Sequence, residues 1–325
     1  MIAIVGAGLS GLSCALELKR LGLPFTLLEA DDEPGGRVRS VLREGFTLDR
    51  GFQVILSSYS AVRETVDIPS LQPRFFESGA ILAGRDGRMS QLTNPLRHPQ
   101  ALAGTLSAFS LPDQLRLAVL GGKTMLTPDK ALLSRCGRTD DRPTLQFLQE
   151  QGFSEKFISC FAAPFFGGVL LDDSLSTSAG LFLYYLKKFA TGRAWIPAAG
   201  IGAFPQAIAD ALGEGAIRFG CRVAGLETAN GRASGLRLAD GSALPASAIV
   251  LALDLPSLEN LSGHHSFTPM RSVSVFYFKT RTPLYSAPCL VLPEGQGRTV
   301  RHFCQVTNIA PELAPPGWHL ISATV

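Results

Sequence analysis

The N-terminal stretch combines short apolar runs with a helical repeat of apolar positions. Residues 2–5 are apolar throughout, which is typical of a strand buried in a parallel sheet. Apolar residues then recur at helical spacing over 12–21, and Gly22 follows as a C-terminal cap. A second strand is predicted over 25–29. The order strand, turn, helix, strand predicts a βαβ unit.

The pattern becomes mainly helical between residues 61 and 199. Apolar positions recur at helical spacing around 115–120, 145–149 and 181–189. Turn signals such as Thr127-Pro128 separate these segments. This stretch is therefore predicted to be an insertion that forms a second domain.

An α/β pattern returns over residues 200–254. Pro205 is predicted to begin a helix that continues through 206–212, and 248–253 is predicted to be a buried strand. Residues 271–279 and 300–306 are predicted strands of a mixed sheet in the second domain.

These patterns predict an α/β fold with two domains. The first is a discontinuous Rossmann-type domain of residues 1–60 and 200–254. The second is an inserted α+β substrate domain of residues 61–199 and 255–325, with a mostly helical insertion and a mixed sheet. A length of 325 residues fits two domains.

The composition supports packed cores and argues against nucleic acid as a partner. Hydrophobic residues make up 46% of the chain and charged residues 18%. The net charge of +3, from 30 basic and 27 acidic residues, is too balanced for a polyanion-binding protein. The densest basic patch, Arg37, Arg39, Arg43 and Arg50, is predicted to meet a bound phosphate.

The six cysteines include no C-x-x-C pair, so free thiols in a reducing, cytoplasmic compartment are expected. The five histidines show no metal-ligand spacing, and no metal site is predicted. The longest uncharged run, 194–209, is interrupted by prolines and glycines. The protein is therefore expected to be soluble or at most attached to a membrane surface, without a spanning helix.

A dinucleotide fingerprint, Gly-Ala-Gly-Leu-Ser-Gly, occupies residues 6–11 between the first strand and the first helix. Gly6 would permit the tight turn, and Gly8 would let the backbone approach a pyrophosphate. Gly11 would let the helix pack closely on the strand. Ser10 lies in the same turn and is counted with the predicted cofactor site. The helix N-terminus would attract the phosphates through its unpaired N–H groups.

Glu29 ends the second predicted strand, where a carboxylate can accept hydrogen bonds from ribose hydroxyls. The same carboxylate would repel a 2′-phosphate, which disfavours NADP. A reductase that takes electrons from NAD(P)H would need a second fingerprint after a strand. The sequence contains none.

Two further motifs follow the fingerprint. Residues 35–40 read Gly-Gly-Arg-Val-Arg-Ser, and 45–54 read Gly-Phe-Thr-Leu-Asp-Arg-Gly-Phe-Gln-Val. Together with the fingerprint, they resemble the flavin-containing amine oxidase superfamily, which includes protoporphyrinogen oxidases and phytoene-desaturase-like enzymes. The resemblance implies FAD as cofactor.

The resemblance also implies cofactor contacts at specific positions. Gly36 and Arg37 would lie along the FAD pyrophosphate, where an arginine can make two parallel charge-assisted hydrogen bonds. The implied contacts near the isoalloxazine ring are Gly51, Phe52 and Gln53. The backbone of Val223 would meet the adenine.

The sequence departs from the superfamily pattern at two places. Ser274 stands where amine oxidases often carry a lysine close to flavin N5, and no general base is predicted. The superfamily's C-terminal Gly-Asp segment and the helix after it are absent. The chain is therefore expected to be truncated relative to the family, to bind FAD poorly and to leave its last strand, 320–325, as an uncovered edge.

The function implied by the resemblance is that of an FAD-dependent oxidoreductase, in which flavin N5 accepts a hydride from a lipophilic or amine small molecule. A carotenoid or isoprenoid desaturase or isomerase is an alternative within enzymes. A non-catalytic binding protein similar to Rab GDP-dissociation inhibitors is an alternative of another class. The aromatic-rich segments 157–168 and 181–186 could line a substrate tunnel or form ordinary core.

Overall fold

A computed structural model of the chain describes residues 1–84, 87, 89–93, 110–263, 270–293 and 299–325. The described strands are β1 (Ile2–Val5), β2 (Phe25–Leu28), β3 (Ser40–Arg43), β4 (Phe46–Asp49), β5 (Ile55–Leu56), β6 (Pro73–Phe75), β7 (Gly79–Ala83), β8 (Met89–Thr93), β9 (Ala194–Pro197), β10 (Ile217–Arg218), β11 (Val223–Ala229), β12 (Arg232–Leu238), β13 (Ala243–Pro245), β14 (Ala248–Leu251), β15 (Val275–Thr280), β16 (Leu290–Pro293), β17 (His302–Gln305) and β18 (His319–Thr324).

The described α-helices are α1 (Leu9–Arg20), α2 (Ser60–Thr65), α3 (Leu111–Leu126), α4 (Asp129–Leu133), α5 (Thr144–Glu150), α6 (Glu155–Phe157), α7 (Ala163–Leu170), α8 (Ala179–Thr191), α9 (Ala203–Leu212) and α10 (Leu255–Ser262). A π-helical turn, Ile158–Ala162, joins α6 to α7. Short 3-10 turns occur at Ile68–Leu71, Val306–Asn308 and Pro311–Leu313.

The described chain divides into two compact units. The first unit comprises Met1–Gln53, Ala61–Pro73 and Pro197–Arg271. The second unit comprises Val54–Ser60, Arg74–Ile196 and Ser272–Val325. Relative to the ranges predicted from the sequence, the first unit gains residues 61–73, 197–199 and 255–271, and residues 54–60 belong to the second unit.

The first unit is built on a parallel sheet. Four of the described strands form it in the order β10-β2-β1-β14. The register pairs Ile2 with Phe25 on one side and with Ala248 on the other, so β14 lies in this sheet as predicted. Helix α1 packs against α9. The Lys19 ammonium donates to the carbonyl of Ala211 over 2.7 Å, at the C-terminal end of α9.

Helix α1 ends as the sequence indicates. Gly22 has a φ of +66°, and its N–H donates to the carbonyl of Lys19 over 3.1 Å. Helix α9 begins at Ala203, two positions before the predicted start at Pro205, because proline is tolerated throughout a first helical turn. Gly213 follows α9 with a φ of +89°.

The second unit contains a mixed sheet. Six of the described strands form it in the order β15-β18-β17-β16-β7-β8. Strand β18 pairs with β15 on one side and β17 on the other, and most of its side chains are buried. The expectation that the last strand forms an uncovered edge is therefore wrong. Apolar alternation alone does not reveal whether a strand is paired on one side or on both.

The aromatic-rich segments of the second unit contribute to its core. Phe157, Phe166 and Phe182 are each 2% exposed and belong to one apolar cluster. Phe161 and Phe165 are half-buried and stack with their ring centroids 5.7 Å apart. The core interpretation holds for the first three rings, whereas the half-buried pair is also available to a ligand.

Within the described ranges, none of the helices has the length and apolarity needed to cross a bilayer. The described residues also include no group of three His, Cys, Asp or Glu side chains that could hold a metal ion. His98, His264 and His265 lie outside the described residues.

Candidate functional site

Two glycines of the fingerprint are fixed by close backbone packing. Gly6 has a φ of +99°, and a Cβ added there would lie 2.6 Å from the carbonyl oxygen of Ala252. A Cβ on Gly11 would lie 1.9 Å from the carbonyl oxygen of Gly6. The turn and the approach of α1 to β1 therefore both require glycine.

The remaining glycine of the fingerprint, Gly8, has free space beside it. Gly8 is the N-cap of α1 with φ −70° and ψ 176°, and a Cβ placed there would meet nothing within 4 Å. No side chain caps the helix, and its first turn contains no acidic residue. Ser10 lies in this turn and is exposed. The first N–H groups of α1 thus form a cradle with positive potential, suited to an anion.

The Gly-Gly-Arg motif lies directly against this cradle. The N–H of Gly35 donates to the carbonyl of Ala7 over 2.8 Å. Gly36 has a φ of +59°, and a Cβ on it would lie 3.5 Å from Cα of Gly8. The side chain of Arg37 is exposed. The fold thus brings both glycine motifs and a guanidinium group to the start of α1.

The other arginines of the predicted phosphate patch behave differently. Arg39 is only 6% exposed, and its guanidinium pairs with the carboxylates of Asp31, at 2.7 Å, and Glu33. Arg43 and Arg50 are exposed. Because its charge is already matched by carboxylates, Arg39 is a structural residue, and the prediction of one joint patch of four arginines was wrong for it.

Glu29 follows β2, at the edge where the fingerprint turn lies. Its Oε2 accepts from the N–H of Ala7 over 2.6 Å, and its Oε1 accepts from the N–H of Asp31 over 3.0 Å. The carbonyl of Glu29 accepts from the N–H of Cys221 over 2.7 Å. This bond holds the segment that leads into β11, where Val223 is half-buried. Glu29 and Val223 are therefore linked through one backbone contact.

Gln53 connects the motif of residues 45–54 to the Gly-Gly-Arg motif by a hydrogen bond. Gly51 has a φ of +97°, so its turn favours glycine. The Nε2 of Gln53 donates to the carbonyl of Arg37 over 3.3 Å. The Oε1 of Gln53 is buried and has no hydrogen-bond partner within the described chain. Phe52, which lies between Gly51 and Gln53 in the sequence, is half-buried. Gln53 therefore presents a buried acceptor that no described residue satisfies.

A polar network that sequence reasoning missed ties the signature to the segment before α9. The Ser40 hydroxyl donates to Oδ1 of Asp49 over 2.6 Å, and the N–H of Ile201 donates to the same oxygen over 3.0 Å. The N–H of Gly202 donates to the Ser40 hydroxyl over 2.8 Å. A Cβ on Gly200 would lie 2.7 Å from that hydroxyl. In the sequence, this network was indicated by the presence of Ser40 and Asp49 in the two motifs.

Asp49→Asn is expected to keep or increase stability at pH 7. Burial raises the pKa of Asp49, so the folded protein holds this proton more tightly than the unfolded chain. The contribution of Asp49 to stability is therefore greatest below its unfolded pKa and falls as pH rises through the folded pKa. Asparagine keeps the Oδ1 acceptor without the charge. Urea unfolding at pH 7 and pH 4 tests this, and a variant less stable by more than about 1 kcal/mol at pH 7 would contradict it.

An open glycine turn at the carboxyl edge of a parallel sheet, followed by a second glycine pair and an exposed arginine, is the architecture of a Rossmann-type FAD-binding oxidoreductase. The family profile described as "Flavin containing amine oxidoreductase" matches residues 9–325. The chain therefore belongs to this family of FAD-dependent oxidoreductases.

The individual relatives agree with this family. A phytoene dehydrogenase of Streptomyces griseus is 25% identical over 98% of this chain and 71% of its own length. A lycopene-forming phytoene desaturase of Pseudescherichia vulneris is 27% identical over 84% of this chain and 59% of its own length. The crystal structure of an oxidoreductase from Methanosarcina mazei has the same fold, with a TM-score of 0.73, 19% identity, and coverage of 99% of this chain and 78% of that chain.

Proposed function

We propose that this chain holds FAD in its first unit and oxidises a lipophilic small molecule of the isoprenoid class. The observation that carries the proposal is the cradle at the start of α1. Gly8 leaves open space there, and Gly36 lies directly beside it. The buried Oε1 of Gln53 gives a second, independent sign of a ligand, because buried acceptors are normally hydrogen-bonded.

The residues of the first unit fit FAD part by part. The N–H groups at Gly8, Ser10 and Gly11 would bind the pyrophosphate, together with Gly36 and the exposed guanidinium of Arg37. Glu29 would accept from ribose hydroxyls, and the backbone at Val223 would meet the adenine. Gly51, Phe52 and Gln53 would support the flavin. When bound, FAD supplies an acceptor for two electrons transferred as a hydride.

The substrate class rests on the second unit and on the relatives. Phe165 stacks with Phe161 and meets Phe189 edge to face with ring centroids 4.9 Å apart, and all three rings are half-buried. An aromatic wall of this kind would bind an extended apolar molecule through burial of surface. Relatives along most of the chain are phytoene dehydrogenases and desaturases by name. An isoprenoid chain is therefore the favoured substrate.

The proposed location is the cytoplasm, with the isoprenoid substrate reached at a membrane surface. All six cysteines are free thiols, including the exposed Cys136. An exposed free thiol is the usual state in a reducing compartment. Disulfide-bonded cysteines in protein isolated from the native host would contradict this location.

A flavin and substrate assay tests the proposed function. One portion of the purified chain is denatured to extract its flavin for chromatography. A second, native portion is mixed anaerobically with phytoene or farnesol in lipid vesicles, or with a primary amine. Recovery of FAD is expected, together with bleaching of its absorbance by an isoprenoid and not by the amine. Recovery of FMN alone, or bleaching by the amine alone, would overturn the proposal.

Arg37→Ala is expected to weaken FAD binding by about tenfold or more and to leave the free energy of unfolding unchanged. The side chain is exposed, and a charge-assisted hydrogen bond to phosphate contributes about 1.5–3 kcal/mol. Arg39→Ala is the matched control, because its buried guanidinium pairs with Asp31 and Glu33. This variant should lower the unfolding free energy. Equal FAD affinity in Arg37→Ala and the parent chain would refute the phosphate role.

A further inference from the structure

Two neighbouring strands in the sheet of the second unit place polar side chains together on one face. Strands β17 and β18 are antiparallel, with His302 opposite Thr324 and Cys304 opposite Ser322. Side chains two positions apart on a strand point to the same face, and directly opposed residues are close neighbours. These four side chains therefore form one patch, with Thr324 and Ser322 in the strand that is paired on both sides.

The two hydroxyls of this patch are buried without partners. Ser322 is 1% exposed and Thr324 is 2% exposed. Neither the Oγ of Ser322 nor the Oγ1 of Thr324 has a hydrogen-bond partner among the described residues. Burying such a group unpaired is costly, and native structures rarely do it. Two such groups lie side by side on one strand, each with an open donor and open acceptor positions.

His302 in β17 and Arg301 at the position before it add no unpaired charge to the patch. Burial lowers the pKa of His302 to about 4, with a smaller contribution from Arg301, so the imidazole is neutral at pH 7. The guanidinium of Arg301 is paired with Asp173 over 2.9 Å. An ammonium or carboxylate group of a ligand would therefore find no counter-charge beside the two hydroxyls. An uncharged oxygen fits them, because a hydroxyl can both donate and accept.

Helix α7 lies beside the patch and is preceded by a π-helical turn. A Cβ added to Gly168 in α7 would lie 3.0 Å from Nδ1 of His302, so the helix packs closely on the imidazole. The same helical segment contains the π-helical turn Ile158–Ala162, directly before the start of α7. Such turns are rare and occur frequently at functional sites.

We propose that Ser322 and Thr324 form a buried binding site for a hydroxyl or carbonyl oxygen of the substrate. The inference rests on the proposed function and extends it, since it assigns to the lipophilic substrate one uncharged oxygen-containing group. A pure hydrocarbon such as phytoene would leave both hydroxyls unpaired. Ser322 and Thr324 thereby determine specificity between oxygenated and hydrocarbon isoprenoids.

Binding of two matched probes tests this site. Farnesol carries a hydroxyl, whereas farnesene has a similar isoprenoid skeleton without oxygen. Their dissociation constants for the purified protein are measured by calorimetry at fixed detergent concentration. The parent chain should prefer farnesol. The double variant Ser322→Ala/Thr324→Val should bind farnesol about tenfold more weakly and farnesene unchanged, since only the hydrogen bonds are removed.

Three further variants separate this role from a general effect on packing. Thr177→Val removes another buried hydroxyl that lacks a partner in the described chain, outside the sheet, and should not change the preference for farnesol. The single variants Ser322→Thr and Thr324→Ser keep a hydroxyl and should keep the preference. In the absence of probe, the double variant should have a melting temperature equal to or above that of the parent, because it no longer buries two unpaired groups.

Several results would overturn the inference. They are an unchanged affinity of the double variant for farnesol, loss of the preference in Thr177→Val, loss of it in both hydroxyl-keeping variants, or no binding of either probe by the parent chain. The first result would show that the hydroxyls bind water only. Flavin content is measured on the same samples. A preference for farnesol in protein that lacks FAD would support this site and refute the proposed function, whereas FAD-loaded protein without the preference would refute the site alone.

Discussion

Gly8→Ala is expected to reduce FAD binding at least about tenfold while changing the free energy of unfolding by less than about 1 kcal/mol. The backbone of Gly8 already has φ −70°, which alanine adopts readily, and its Cβ would meet nothing in the protein. The methyl group would instead fill the space at the start of α1 that the proposed pyrophosphate needs. Flavin retained after gel filtration and thermal unfolding of the same sample measure the two effects.

Gly11→Ala is the matched comparison in the same turn. Its Cβ would lie 1.9 Å from the carbonyl oxygen of Gly6, so α1 would have to move away from β1. A loss of about 1–3 kcal/mol or more in unfolding free energy is expected, together with loss of FAD. If Gly8→Ala retained FAD as the parent does, the phosphate would not lie at this helix terminus. If Gly8→Ala also unfolded, its effect on FAD would have no separate meaning, and Arg37→Ala would decide the matter.

Acidification from pH 7 to pH 5 is expected to cost the second unit about 2 kcal/mol through His302 alone. Burial lowers the pKa of this imidazole from 6.5 to about 4. The unfolded chain therefore takes up a proton below pH 6.5, whereas the folded protein does so only near pH 4. The contribution to stability is fully present above the unfolded pKa and is lost as pH falls towards the folded pKa. Urea unfolding at several pH values measures the slope.

His302→Gln should remove this slope between pH 6.5 and pH 4. The carboxylates of Asp113 and Asp129 have pKa values lowered by hydrogen bonds, so their contribution is lost at still lower pH and does not overlap. Asp49 acts in the opposite direction, because burial raises its pKa. An identical pH dependence in His302→Gln and the parent chain would show that the imidazole has the same pKa in the folded and the unfolded protein.

The nucleotide half of the fold was predictable because its signals are local. The strand, glycine turn and helix of residues 2–20 follow one another, and each glycine's requirement could be derived from the fingerprint alone. The contact of Ile201 with Asp49 could not be derived in this way, because the two residues are 152 positions apart and nothing in their local patterns refers to each other. The same limit applies to strand order in the second unit, where β7 pairs in parallel with β16.

Side-chain roles were predictable only where the motif itself specifies them. Arg37 and Arg39 are two positions apart in one basic run, yet one is exposed and the other is buried against carboxylates. Their chemistry is identical, so only the path of the backbone separates them. The orphaned hydroxyls of Ser322 and Thr324 likewise look ordinary in an apolar strand, and their burial depends on pairing with both β15 and β17.

The discontinuity of the first unit has a consequence for biosynthesis. Met1 and Ser247, which meet at the start of β1 and β14, are 246 positions apart in the chain. At a translation rate of about 5–20 residues per second, roughly 12–50 s separate the emergence of these two strands from the ribosome. The nascent chain can pair β1 with β2 early, but the other edge of β1 stays open throughout this interval. The apolar residues Ile2–Val5 are therefore a site where chaperones would act on the growing chain.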